Sequence, residues 1–301
     1  MRRAATLLAL VATASAAPAP AKERDRETLV RARGAKGLAT YGGVTVLSVR
    51  RPGNRYALAV VRDGRLRRLA VDTLPEPFDA DVGPDTRGRP TVVFSRDGDL
   101  FLHRLHTGRT EPIRTVGDGH QSQPSLWRGR IAWWGDEYVL TRNRLVSRAV
   151  PPQRVPGVPA ATEDVEIEVR GRLIATSDLH GRPQPDIPNQ YVRLHDLTAD
   201  RSSSVWVNGA GIGGQTIVGL SFAGPWLGFH RSCFGDPGGC DTGGARRFHT
   251  ESGRYEWWTG YRTLEGFALL PGGTLELTED GRLQRLAAPR WEPIPPRAIR
   301  R

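Results

Sequence analysis

Apolar residues along this chain come in short runs, each closed by a turn rich in Gly, Asp, Thr or Arg, and the stretch from Phe78 to Asp118 shows the pattern most plainly. An Asp-rich approach leads to a turn at Arg87-Gly88-Arg89, an apolar run from Pro90 to Ser95 and a turn at Asp97-Gly98. A second run from Leu100 to Leu105, a turn at Thr107-Gly108-Arg109 and a short polar strand from Thr110 to Val116 complete the unit. Strands rich in Val, Leu and Phe with Asp-Gly and Thr-Gly punctuation predict an antiparallel meander, one four-stranded sheet. No window of about 12 residues sustains a 3.6-residue apolar period, so essentially no helix is expected after the N-terminal leader described below.

The unit recurs. Aligned on the turn between first and second strands, it places Gly43, Gly88, Gly129, Gly171, Gly224 and Gly272 in register, with spacings of 45, 41, 42, 53 and 48 residues. A period in that range with four short strands per unit is the mark of a propeller, in which blades bury their faces against their neighbours. Inner strands covered on both faces read as nearly continuous apolar runs, as in VTVLSV (44–49) and YALAVV (56–61), while the outer RLRRLAV (65–71) is mixed. The prediction is an all-β, six-bladed β-propeller of four-stranded antiparallel blades over 37–301, the first blade starting near Gly37 and the last ending near Pro296.

The segment DTRGRPTVVFSRDGDLFLHRLHTGRTEPI (85–113) and the strand YVRLHDLTAD (191–200) resemble the repeat of TolB-type propellers, which runs Pro-Asp-Gly, apolar strand, Ser, an Asp-Gly turn, then a strand ending Asp-Leu-x-Thr-Gly. Blades two and four match best and blade three is degenerate; the helical N-terminal domain of TolB proteins has no counterpart here. The resemblance covers residues 37 to 296 at the level of the repeat. It implies a six-bladed propeller and carries over neither a partner nor a catalytic residue. The Gly-His and Trp-Asp pairs of WD-type repeats are absent, and Ser95-Arg96-Asp97-Gly98-Asp99 departs from the Asp-box of sialidases.

At the N-terminus, Arg2 and Arg3 precede an apolar run from Ala4 to Ala12, and Ala14-Ser15-Ala16 offers a small-residue cleavage site. Residues 1–16 therefore read as a secretory signal peptide, too short to span a membrane, and the expected location is extracytoplasmic. Residues 17–36 have the Ala, Pro and charge content of a linker. Two segments compete for the outer strand of the last blade: Trp291 to Pro295, whose Pro293 and Pro295 restrict it to an edge, and Thr28 to Arg33, which would close the ring from the N-terminus.

The formal charge is +11, and all basic residues except Lys22 and Lys36 are Arg. That skew fits genome base composition, and with no helix-turn-helix, zinc-finger or RNA-binding signature it gives no case for nucleic acid. The two cysteines, Cys233 and Cys240, lie in a Gly/Pro-rich loop of blade five, where export favours a disulfide. The competing reading is a metal site of His230, Cys233, Cys240 and His249, which lacks a CxxC or HxxxH element. No metal or cofactor is called for.

Other chemistry is sparse. Ser221 brushes a nucleophile-elbow pattern but sits in an inner strand without a following helix, which makes it core. His103, His106 and His195 fall on third strands or their turns, where a solvated or hydrogen-bonded histidine is expected. Asp164, Glu166 and Glu168 share one face of the first strand of blade four; pairing with Arg from a neighbouring blade is preferred over a carboxylate cluster.

Loop lengths single out one end of the propeller. Turns joining strands one to two and three to four are tight, while the long connections, including 151–163, 178–190 and 232–245, open on the other end. The acidic and titratable residues assigned there are Asp79, Asp81, Asp85, His120, Glu163, Asp164, Asp186 and Asp236, as candidates for ligand binding. The tight-turn end carries the RGR turns, whose Arg89, Arg130 and Arg172 would hold the protein against an anionic envelope surface. The expected function is an exported, monomeric, non-catalytic binding or scaffold propeller whose partner is an envelope protein, glycan or anionic polymer. A secreted hydrolase or lyase acting on glycan or peptide through carboxylates or His on the same face is the alternative.

Overall fold

The Gly turns close hairpins because Gly88, Gly98 and Gly108 take positive φ (79, 84 and 69) where the chain must reverse. The computed structural model describes residues 26–113, 120–135, 138–143, 153–155, 166–179, 190–208, 215–233, 244–259, 264–279, 281–287 and 289–294. The leader, 144–152 and most of the three long connections, with Glu163, Asp164, Asp186, Asp236 and Cys240, lie outside them. The reading of Cys233 and Cys240 as a disulfide therefore also falls outside the described residues.

Strand β1 (Arg26–Arg31) is first in the chain and last in the ring. Sheet one is β2 (Lys36–Tyr41), β3 (Val44–Arg51), β4 (Arg55–Arg62) and β5 (Arg65–Arg68). Sheet two is β6 (Ala80–Pro84), β7 (Pro90–Arg96), β8 (Asp99–Arg104) and β9 (Arg109–Pro112). Sheet three is β10 (Gln121–Trp127), β11 (Arg130–Gly135), β12 (Tyr138–Asn143) and β13 (Gln153–Arg154). Sheet four is β14 (Glu166–Arg170), β15 (Leu173–Leu179), β16 (Gln190–Asp196) and β17 (Arg201–Asn208). Sheet five holds β18 (Gln215–Ala223), β19 (Trp226–Cys233), β20 (Gly244–His249) and β21 (Tyr255–Thr259). The last sheet holds β22 (Gly266–Leu269), β23 (Leu275–Glu279) and β24 (Arg282–Leu286), with β1 outermost. The strand β25 (Glu292–Pro293) is a fifth strand on sheet five.

The architecture is an all-β propeller of antiparallel sheets. Among the described residues the only helical segment is a 3-10 turn at Pro271–Gly273, between β22 and β23. Strand count is not uniform: sheet five has five strands, because the Pro-bearing segment pairs with β21 (Glu256↔Pro293, Trp257↔Glu292) instead of finishing the last sheet. Pro293 has no N–H to give, so it fits only an outermost edge. The vacated position goes to β1, which has no proline and pairs along β24 from Arg26↔Leu286 to Arg31↔Arg282. The linker's second half is thus a structural strand.

The innermost strands β2, β6, β10, β14, β18 and β22 touch in that order, and β22 touches β2, so the ring is closed. Between successive sheets lie clusters of buried apolar side chains, for example Val60, Val82 and Phe94 between sheets one and two, and Leu47, Ala59 and Leu283 between the last and the first. Trp133, Phe94, Phe229 and Phe267 are fully buried there, each stabilising the fold by roughly 1.5–3 kcal/mol relative to exposure. The first six residues of β3 are all buried while β5 is largely exposed, as the runs VTVLSV and RLRRLAV predict. Inner strands approach so closely that a Cβ on Gly83 would stand 1.7 Å from the Leu126 carbonyl oxygen of the next sheet.

Candidate functional site at the channel mouth

The starts of the innermost strands converge at the long-loop end around a cavity of about 590 Å3. Every sheet contributes: Lys36 to Ala39, Asp79 to Asp81, Gln123 and Pro124, Glu166 to Glu168, Gly219 and Leu220, and Glu265 to Phe267. Five carboxyl residues, Asp79, Asp81, Glu166, Glu168 and Glu265, face one cation, Lys36. Beyond the cavity, Tyr41 of sheet one and Trp127 of sheet three meet edge to face with ring centroids 5.8 Å apart. Those sheets are not neighbours, so the contact reaches past the inner strand of sheet two; the Arg170 guanidinium lies 5.0 Å over the Trp127 ring.

The cavity wall is braced by a polar relay through four sheets. Asp81 Oδ1 accepts the N–H of Val82 (2.6 Å), and its Oδ2 accepts the N–H of Leu126 (2.8 Å) and the hydroxyl of Ser125 (3.0 Å). Ser125 Oγ in turn accepts the N–H of Val169 (2.9 Å) and lies 3.3 Å from Glu168 Oε2. Glu168 accepts the backbone N–H of Phe222 in sheet five. A serine hydroxyl has one proton, and here it goes to Asp81. The remaining lone pair of Ser125 is filled if Glu168 is protonated and donates. Burial, then the Asp81 charge, pushes the Glu168 carboxyl well above the usual range; burial also raises Asp81, to about 6, against its hydrogen bonds from Leu126, Ser125 and Val82. Each carboxyl therefore holds a proton more tightly than it would in water, and the charge of either disfavours ionisation of the other.

At the rim, Asp79 accepts from Gln123 Nε2 (3.2 Å) and Ser95 Oγ (3.4 Å). Burial raises its carboxyl, Glu76 adds to the rise, and the Gln123 and Ser95 bonds and His120 oppose it. His120 is exposed beside the turn of sheet two, its Nδ1 3.2 Å from where a Cβ on Gly98 would stand. The structure thus brings together Asp79, Asp81 and His120 of the residues assigned to this end.

Asp85 belongs elsewhere. It opens the β6–β7 turn at the tight-turn end, where Oδ1 accepts the N–H groups of Arg87 (2.8 Å) and Arg89 (2.9 Å) and Oδ2 takes the Arg89 guanidinium at 2.9 and 2.8 Å. Burial works against its ionisation, but the Arg89 and Arg87 donors together hold its carboxyl below the ordinary range. An Asp at the head of a turn satisfies backbone donors two and four residues on, which is why it sits with the arginines. Arg89, Arg130 and Arg172 all have internal partners: Asp85, the Gly171 carbonyl, and Asp196 at 3.2 Å. They fasten turns, and two of their charges are answered by carboxylates on the same end, so the polarity expected along the axis is reduced.

Glu168 was expected to pair with an arginine, and its partner is instead Ser125 with Asp81 behind it. Lys36, Gln123, Ser125 and Glu265 were not singled out in the sequence. One signal was available: an inner strand should be continuously apolar, and Glu-Ile-Glu-Val in β14 is not. His103 and His195 are buried and hydrogen-bonded to hydroxyls of adjacent strands, Nδ1 of His103 to Thr110 at 2.8 Å, and His195 to Thr176 at 3.0 Å and Ser202 at 2.6 Å. Ser221 donates to the Leu269 carbonyl at 3.2 Å and is core. His249 pairs with Trp226 and His230 with Ala245, four register positions apart or roughly 13 Å, so His230 and His249 cannot share one metal ion.

No protein-family model and no curated protein matches this chain. Among solved structures it is similar to TolB from Acinetobacter baumannii, with a TM-score of 0.55 and 12% identity over 83% of this chain and 65% of that one. It therefore spans just under two thirds of that TolB. It is also similar to a chain of the mitotic checkpoint complex (TM-score 0.52, 11% identity, 95% of this chain and 100% of that one) and to streptogramin B lyase (0.50, 8%, 89% and 97%). At such identities the likeness concerns the fold, which is a TolB-like propeller.

Proposed function

We propose that this chain is an exported, non-catalytic propeller acting as a binding or scaffold protein at the cell envelope, with its ligand entering the long-loop end of the channel. The observation that carries this reading is the cavity to which all inner strands contribute and whose carboxyl residues outnumber its one lysine. A rigid ring with an acidic recess recognises a cationic segment of an envelope protein, or a glycan bound by carboxylate acceptors. Asp79 and His120 at the rim are the recognition groups. Asp81 and Glu168 are occupied by backbone N–H groups of neighbouring sheets, which marks them as structure.

Among the described residues no helix is long and apolar enough to cross a membrane. Export rests on the leader-like 1–16 segment. Cleavage there is read by N-terminal sequencing of secreted protein.

An enzymatic reading draws support from one feature: two neighbouring carboxyl groups, Asp81 and Glu168, both raised by burial, beside a cavity. Affinity capture from a cell-envelope extract separates the readings. The binding role predicts a partner retained by the native protein and lost on Asp79→Arg, with capture intact in Glu168→Gln. The enzymatic role predicts turnover of envelope glycan or peptide that Glu168→Gln abolishes. Capture unaffected by Asp79→Arg overturns the assignment of the rim.

A further inference from the structure

At the tight-turn end, sheets one and two part company around a cleft of about 480 Å3 lined by Val44, Val60, Arg62, Arg65, Arg67, Arg89, Pro90, Leu105 and His106. The register explains how apolar and cationic groups meet there. Val44 pairs with Arg62 and Arg62 with Arg65 across β3, β4 and β5, and Val60 pairs with Arg67, so these side chains stand on one face, the one turned to sheet two. The valines are buried at 2% and 5% exposure and form the floor with Pro90 and Leu105, while the arginines stand at the rim.

The rim holds more positive charge than the protein answers. Arg89 is locked to Asp85 by two hydrogen bonds, and Arg62 is 3.8 Å from Asp63 with both side chains mostly exposed, a pair that water screens. Arg65 and Arg67 have no acidic partner among the described residues. Arg67 also acts inward: after burial, its charge is the second cause holding the protonation of His103 below the usual range. Arginines gathered without counterions repel one another, and a bound anion relieves that repulsion through the forked donors of the guanidinium.

We propose that this cleft binds a single-chain anionic amphiphile, a phosphate or carboxylate head held between Arg65 and Arg67 with a short apolar chain laid on Val44, Val60, Pro90 and Leu105. The site is at the opposite end from the channel mouth and stands independently of the binding role assigned there. Its volume falls in the range of small-molecule pockets, and its floor offers a chain what a flat basic surface does not.

Isothermal titration of the protein with monomeric decyl phosphate, beside inorganic phosphate and phosphatidylglycerol vesicles, tests this. Expected is saturable one-to-one binding of decyl phosphate, at least about tenfold tighter than inorganic phosphate and weaker as salt rises. The exposed pair Arg65→Gln with Arg67→Gln should cost at least about tenfold in affinity at an unchanged melting temperature. Leu105→Gln, which keeps every arginine, should weaken decyl phosphate and leave inorganic phosphate unaltered. The proposal falls if decyl phosphate does not saturate, if the double variant binds it as well as the native protein, or if both phosphates bind alike. Vesicle binding without monomer binding would equally overturn the cleft in favour of a flat membrane-facing surface.

Discussion

Asp81 and Glu168, on inner strands of sheets two and four, reach the same hydroxyl: Ser125 Oγ lies 3.0 Å from Asp81 Oδ2 and 3.3 Å from Glu168 Oε2. Because sheet three supplies the serine, one oxygen ties three sheets together, and Phe222 extends the tie to a fourth.

Both carboxyls bind protons more tightly in the folded chain than unfolded, so the folded state holds more protons from about pH 4 upward and the stabilising contribution is lost as pH rises through about 6 and beyond. Glu168→Gln keeps a donor for Ser125 and an acceptor for Phe222 without titrating. This variant should be at least as stable as the native protein at about pH 8 and show a shallower decline above about pH 5, read from urea midpoints across pH. Glu168→Ala, which removes both partners, should cost about 2–3 kcal/mol. A native-like pH slope in Glu168→Gln would show that the brace does not titrate.

Gly83→Ala should cost about 3 kcal/mol or more, or prevent folding, since the new methyl would meet a backbone carbonyl at 1.7 Å and no side-chain adjustment can relieve it. Gly64→Ala is the control: its φ is 69, but nothing lies within 4 Å of the added carbon, so only backbone strain of about 1 kcal/mol is expected. Chemical denaturation of both variants gives the comparison.

Removing β1 by starting the chain at residue 32 should leave β24 as an open edge and expose Leu283, now fully buried. We expect a loss of roughly 3–5 kcal/mol, from ladder hydrogen bonds and apolar burial together, and a tendency to associate through the bared strand. Supplying the 26–31 peptide in trans should restore part of the melting temperature. An unchanged melting curve would place ring closure elsewhere.

Asp85→Ala strips two backbone N–H groups and the Arg89 guanidinium of their acceptor, at an expected cost of about 1–3 kcal/mol near neutral pH. Its ionised form is the one favoured by folding, so the native protein should lose this contribution as pH falls below about 4, the opposite direction to the Asp81–Glu168 pair. Measuring the Asp85→Ala deficit at two pH values checks the sign: it should shrink on acidification.

Local information was enough for the strands, the turns and the repeat. Alternation and Gly spacing depend only on neighbours in the chain, which is why β3, β4 and β5 and the positive-φ turn at Gly88 follow from the sequence of sheets one and two. For His103 and His195 the sequence left solvation and hydrogen bonding open, and pairing with hydroxyls on the adjacent strands decided it. Three things were decided only by the tertiary structure. The choice of β1 over β25 to finish the ring depends on two chain ends meeting across the whole sequence, which no local pattern in either segment decides. Asp85 was separated from Asp79 and Asp81 because it ends the strand they begin, and the two ends of β6 open on opposite faces of the ring. The raised carboxyls of Asp81 and Glu168 arise because closure of the ring buries both and brings them to one hydroxyl, that of Ser125. Strand period shows which face a side chain occupies; only closure of the ring sets which distant carboxyl, and how little water, it finds there.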